Sequence, residues 1–203
     1  MNRILFREQP VTPSKVVCVG RNYVAHAKEL NNEVPTSPVI FIKPNSAISG
    51  ELQAGTDEPL HYEGEIALLI MDGVIAGVAF GLDLTRRELQ STLKQKGLPW
   101  ERAKGFDGSA VFSDFVALDD PLESLRLQLD INEQRVQEGG CGEMIFKPAF
   151  LIEAIGHDFT LEDGDIIMTG TPNGVGAFQR GDRFLGQVLA GDRLLVSRQW
   201  TAR

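Results

Sequence analysis

The sequence predicts a β-rich α+β domain with mixed sheets and few short helices. Three observations predict it. Short β-branched runs are bounded by Gly and Pro, as in Lys15–Gly20 and Val39–Lys43. Asp72-Gly73 sits between two long apolar runs, a hairpin signal. Strands outnumber helices and do not alternate with them regularly, which argues against a doubly wound parallel fold. A chain of 203 residues suits one domain spanning 1–203.

In chain order, Lys15–Gly20 and Val39–Lys43 read as buried strands. Between them Asn22–Leu30 is helix-compatible with Asn22 as N-cap, and Asn31-Asn32-Glu33-Val34-Pro35 stops it. So short a polar helix is marginal alone and suited to ordering over a ligand. Glu65–Met71 and Val74–Leu84 form the first hairpin. Thr85–Lys96 is the best helix, with Leu89 and Leu93 four apart and Gly97 where a helix ends. Leu125–Asn132 and Gln134–Gln137 read as a second hairpin, and Pro148–Ile155 as an apolar helix with Pro in its first turn. Asp165–Thr169 and Arg193–Ser197 complete the strands.

Composition narrows the function. With 20 Lys+Arg against 28 Asp+Glu the net charge is −8, which disfavours nucleic acid as a partner. No apolar run approaches the ~18 residues of a membrane span. The N-terminus has no signal-like apolar stretch. Two cysteines build no disulfide framework, and no Cys-x-x-Cys supports zinc or redox chemistry. The expected setting is the reducing cytoplasm.

The most informative segment is His61-Tyr62-Glu63-Gly64-Glu65, leading into Ile66–Ile70. On a strand Glu63 and Glu65 share a face, which continues through Ala67 and Leu69 and is therefore expected to be covered, although a solvated edge strand is the commoner meaning of Glu-x-Glu alone. Adjacent covered carboxylates repel, so either one is protonated or a cation lies between them. A hard divalent cation such as Mg²⁺ suits all-oxygen ligands. Asp83 is the candidate third ligand, and hairpin register decides whether it shares that face. A two-residue turn pairs Met71 with Val74 and sends Asp83 to the opposite face. A three-residue Met71-Asp72-Gly73 loop brings it to the same one, so the three-residue loop is expected.

Other residues carry weaker signals. His26 and Glu29 are three apart on the predicted helix, where a carboxylate can fix the imidazole tautomer and leave the second nitrogen basic. A solvated surface pair is the commoner meaning of that spacing. Lys104 is flanked by small and aromatic residues, which favours partial burial. Thr169-Gly170-Thr171-Pro172-Asn173-Gly174-Val175-Gly176 is a turn-rich loop whose N–H groups and Thr171 hydroxyl are suited to an anion, or simply to a structural turn. It is no P-loop, because no helix follows.

Taken together, these residues resemble the fumarylacetoacetate hydrolase superfamily, in particular its single-domain acylpyruvase and oxaloacetate decarboxylase/tautomerase branch. The resemblance runs over about residues 14–200. It rests on Gly20-Arg21-Asn22-Tyr23, His26 and Glu29, Phe41-Ile42-Lys43-Pro44, His61–Glu65, Leu82-Asp83-Leu84-Thr85, Gln90, Lys96–Trp100, Ala103-Lys104 and the Thr169–Gly176 loop, in that order. It implies a mixed β-sheet roll and a homodimer. It also implies Mg²⁺ or Mn²⁺ on Glu63, Glu65 and Asp83 with Lys104 beside the metal. His26 and Glu29 would be a water-activating dyad on a lid, and Arg21, Gln90 and Thr171 substrate contacts.

The implied activity is metal-dependent C–C hydrolysis of acylpyruvate-type 2-oxo acids, or the related decarboxylation or tautomerisation of oxaloacetate. An isomerase or decarboxylase of 2-oxo diacids from aromatic catabolism is the enzymatic alternative, and a catalytically silent metal-stabilised binder the other. Two departures from the family pattern stand out. The tight Met71–Val74 connection is expected to reshape one wall of the site, and Gly105 after Lys104 to loosen the lysine's backbone.

Overall fold

The computed structural model describes residues 1–30, 33–55 and 58–203. Its largest sheet is mixed. In spatial order it runs Val39–Pro44, Lys15–Gly20, Ile166–Met168, Gly64–Met71, Val74–Asp83, Ala110–Phe112 and Ile48–Ser49. Ile166–Met168 lies parallel to Lys15–Gly20 and antiparallel to Gly64–Met71. A second, antiparallel sheet contains Leu125–Ile131, Gln134–Gly140, Arg183–Ala190 and Arg193–Thr201. Four α-helices are found among the described residues: α1 (Val24–Glu29), α2 (Arg87–Gln95), α3 (Glu101–Lys104) and α4 (Pro148–Asp158). The fold class expected from the sequence is therefore the one observed.

The large sheet is buried on both faces, which explains its nearly continuous apolar runs. Ile66, Leu68, Val78 and Phe80 join a core shared with Leu125, Leu127, Phe184 and Trp200 of the second sheet. The opposite face carries Val16, Cys18, Ala67, Leu69, Ala79, Ile166 and Met168, capped by Ile4, Phe6 and Phe115. Burying a Leu or Phe contributes about 2 kcal/mol, so both faces stabilise the hairpin at the centre. That hairpin positions the carboxylates.

Its turn corrects the sequence reading. Asp72 and Gly73 form a two-residue turn at φ 51° and 74°, and Met71 pairs with Val74. The expected three-residue loop is absent. The face parity is restored one step later, because Ile70 pairs with Ile75 while Leu69 pairs with Gly77. Ala76 is the extra residue of a β-bulge. Beyond it Glu65 opposes Gly81, and the Asp83 N–H donates to the Glu63 carbonyl at 2.8 Å. Asp83 thus joins the Glu63/Glu65 face through a bulge, which no turn residue announces. The turn lies six residues from Glu65, about 20 Å along the strand, and so does not shape the site.

Two more corrections concern the first helix and a strand. Asn22 caps nothing: Tyr23 occupies the cap position. The buried Asn22 amide instead donates to the Phe146 and Thr169 carbonyls at 3.0 and 2.8 Å, and its oxygen accepts from the Phe146 N–H at 2.7 Å. It clamps the root of α1 to the Thr169–Gly176 loop. The predicted stop at Asn31-Asn32 lies outside the described residues. Arg183–Ala190 is a strand the sequence reading omitted, since Gly186 reads as a turn residue. A Cβ there would lie 2.3 Å from the Phe80 ring, so glycine is present to admit that ring.

Candidate functional site

The hairpin brings Glu63, Glu65 and Asp83 together, with one carboxylate oxygen from each lying within 4.8 Å of the others. All three are buried. Three buried carboxylates need compensation, and three cations supply part of it. Lys104 Nζ donates to Glu63 Oε2 at 2.8 Å, Asp83 Oδ2 at 2.8 Å and Thr85 Oγ1 at 2.7 Å. Lys43 Nζ lies 2.8 Å from Asp83 Oδ1. Arg87 Nη2 pairs with Glu63 Oε1.

The two glutamates end in opposite protonation regimes. Burial pushes both carboxyls up. At Glu63 the Lys104 and Arg87 charges outweigh it and hold the carboxyl well below the ordinary range. At Glu65 the Asp83 and Glu63 charges add to burial and raise it well above that range, against only the Gly170 N–H, donated at 2.7 Å, and Lys104. Without a cation the balance therefore favours the protonated form at Glu65, one of the two solutions open to adjacent buried carboxylates. A divalent cation is the other. The donor set fits Mg²⁺ or Mn²⁺: it is all hard oxygen, and buried Asp83 Oδ1 has no aligned hydrogen bond despite facing Lys43.

Lys104 is more deeply buried than its flanking sequence suggests, at 2% exposure. Gly105 does not loosen it. The Lys104 N–H donates to Trp100 O at 3.0 Å, and its carbonyl accepts from Ser109 Oγ at 2.7 Å and from Lys43 Nζ. A Cβ on Gly105 would press on Glu101 O and Pro44 Cδ, both at 3.2 Å. The glycine lets α3 sit close to the strand that carries Lys43.

Above the carboxylates is a cavity of about 40 Å³, lined by His26, Glu63, Glu65, Lys104, Arg21, Gln90 and Thr171 among others. That lining brings together seven of the nine residues singled out from the sequence, and the other two stand beside it, Glu29 against His26 and Asp83 against Lys104. His26 is 4% exposed, and its Nδ1 lies 3.2 Å from Glu29 Oε2. Glu29 Oε1 in turn accepts the Gly174 N–H at 2.9 Å.

The Thr169–Gly176 loop is used differently from a free anion cradle. Its Gly170 and Gly174 N–H groups are committed to Glu65 and Glu29. The Thr171 hydroxyl donates to the Gly64 carbonyl at 2.8 Å and accepts from Gln137 Nε2 at 2.8 Å. Gly174, at φ 97°, has Val136 O where a Cβ would be, 2.1 Å away, so only glycine lets the loop approach.

Lys43 and Arg87 received no role from the sequence. Lysine ending an apolar strand run, Val39–Lys43, was the available signal for the first. Arg87, three residues before Gln90 on one helix face, was the signal for the second.

Residues 15–197 match the fumarylacetoacetate (FAA) hydrolase C-terminal family. The chain belongs to that family. Among its curated relatives, the oxaloacetate tautomerase YcgM of Escherichia coli (strain K12) is 41% identical over 189 residues, 83% of this chain and 85% of that protein. A candidate fumarylacetoacetate isomerase/hydrolase from Oleispira antarctica superposes with TM-score 0.95 at 39% identity, covering all of both chains. Fumarylpyruvate hydrolase from Pseudomonas aeruginosa, solved with Mn²⁺ and pyruvate, superposes with TM-score 0.88 at 30% identity, covering 100% of this chain and 96% of that one. Family members thus include enzymes acting on small 2-oxo acids.

Proposed function

We propose that this protein is a divalent-cation-dependent tautomerase of oxaloacetate, interconverting its keto and enol forms. Glu63, Glu65 and Asp83 would hold Mg²⁺ or Mn²⁺. When bound, the cation supplies chelation and Lewis-acid polarisation at the 2-oxo carboxylate end of the substrate.

The chain's own groups carry the proton chemistry. Glu29 accepts from His26 Nδ1 and so leaves Nε2 as the base. Nε2 takes a proton from C3 of the keto acid, the C–H electron pair becomes the C2=C3 bond, and the carbonyl π pair moves onto oxygen. Reprotonation on that oxygen gives the enol, and neither water nor CO₂ is consumed or released. The Lys104 ammonium stabilises negative charge developing next to it. Arg21 and Gln90 orient the substrate carboxylates. Thr171, its hydroxyl already engaged, shapes the wall between them.

The observation that carries this reading is a His–Glu pair closing a small cavity over a buried carboxylate trio. The identity to a named oxaloacetate tautomerase supports the choice of reaction. A second reading, hydrolysis of an acylpyruvate by water activated at His26, is favoured by the similarity to fumarylpyruvate hydrolase. One experiment separates them. Purified protein with Mg²⁺, and again with a chelator, is given enol-oxaloacetate and acetylpyruvate while enol absorbance, pyruvate and CO₂ are followed. The proposal expects metal-dependent loss of enol absorbance without pyruvate or CO₂. Pyruvate released from acetylpyruvate at a comparable kcat/KM moves the assignment to hydrolase, and no metal-dependent turnover of either removes both.

A further inference from the structure

The cavity lining carries cationic groups besides Lys104. Along α2, Arg87, Gln90 and Lys94 recur at i, i+3 and i+7, and all three line the cavity. Arg87 reaches the carboxylate floor through Glu63 and donates to Gln90 Oε1 at 2.8 Å. Lys94 stands two turns further on, roughly 10 Å along the helix axis. Helical side chains lean toward the N-terminus, so Lys94 leans back over the Gln90 turn. Arg21, just after the strand Lys15–Gly20, lines the same cavity from another element. Its backbone is left-handed at φ 58°, a conformation unfavourable to a long side chain and tolerated where placement matters.

We propose that Lys94 and Arg21 form a second anion subsite. It receives the distal carboxylate of a 2-oxo dicarboxylate whose 2-oxo end lies over Glu63, Glu65 and Asp83. The inference rests on the 2-oxo acid reading above and adds to it a determinant of chain length and charge. Burial, then the charges of Arg21 and Arg87, draw the Lys94 ammonium below its ordinary range. A carboxylate placed between Lys94 and Arg21 meets positive charge from both. A monocarboxylic 2-oxo acid brings no group there. Lys94 and Arg21 thus select dicarboxylates over monocarboxylates, while the carboxylate floor treats both alike.

The test compares wild type, Lys94→Met and Lys94→Arg, each loaded with Mg²⁺. Tautomerisation is measured with the enols of oxaloacetate and phenylpyruvate, and binding by calorimetry with 3,3-difluorooxaloacetate, which cannot enolise, and with pyruvate. A charge-assisted hydrogen bond lost at this subsite should lower the dicarboxylate-to-monocarboxylate ratio of kcat/KM about tenfold, through KM. Lys94→Met should weaken difluorooxaloacetate about tenfold and pyruvate less than about twofold, with Lys94→Arg restoring most of the difference. An unchanged ratio, or equal losses for both ligands, overturns the subsite. If wild type turns over neither enol yet binds difluorooxaloacetate in a Lys94-dependent way, the tautomerase reading fails and the subsite stands.

Discussion

Lys43→Met removes an ammonium that is completely buried and leaves its aliphatic stem in place. The ammonium lies 2.8 Å from Asp83 Oδ1 and donates to the Lys104 carbonyl and to Ser109 O and Oγ, both at 3.0 Å. Breaking a buried ion pair from one side costs about 3–5 kcal/mol, because the remaining charge loses its partner. Asp83 keeps Lys104, which places the loss near the lower end, about 3 kcal/mol. For a chain of this size that is a drop in Tm of about 6–12 °C. With the proposed site confined to the folded cluster, Mg²⁺ at 100 times its Kd should return about 2.7 kcal/mol. The double variant Lys43→Met/Asp83→Asn removes both charges and should be more stable than the sum of the single losses by at least about 1 kcal/mol. Thermal and urea melts with and without Mg²⁺ measure each of these. A single variant melting within about 2 °C of wild type, or strict additivity in the cycle, would refute the claim that Lys43 compensates Asp83.

Glu29→Gln keeps an oxygen for the Gly174 N–H but turns a donor toward His26 Nδ1, forcing the ring proton onto Nε2. A kcat loss of about 10²–10⁴ is expected, with amide exchange at Gly174 unchanged, whereas Glu29→Ala should lose both. At Asp165, burial pushes the carboxyl up, but bonds from Lys15, the Glu162 N–H and Ser14 outweigh it and hold it below the usual range. Its stabilisation is thus complete above the unfolded carboxylate value near ~4 and fades as pH falls through the lower folded value. Asp165→Asn sets amide hydrogens against those donors and should cost about 2–4 kcal/mol at pH 7. In urea melts that penalty should shrink below about pH 4, and a pH-independent penalty would contradict the ion-pair account.

The sequence by itself determined the fold class, the central hairpin and the shared face of Glu63 and Glu65, because each rests on local chemistry, whereas Arg21 and Gln90 were legible only through the family resemblance. Burial on both faces writes apolar runs, Asp-Gly writes a turn, and carboxylates two apart on a strand share a face whatever surrounds them. Lys104 and the His26–Glu29 spacing were legible in the same way, although their depth of burial was not. Only the tertiary structure decided whether Asp83 joins the glutamates. One extra residue, Ala76, reverses strand parity, and an alanine in a β-run carries no mark of a bulge. Tertiary packing also committed the loop N–H groups to Glu65 and Glu29, and it set Lys43 against Asp83 from a strand forty residues away in sequence. Such pairings depend on which strands become neighbours, and side-chain patterns along one strand do not record that.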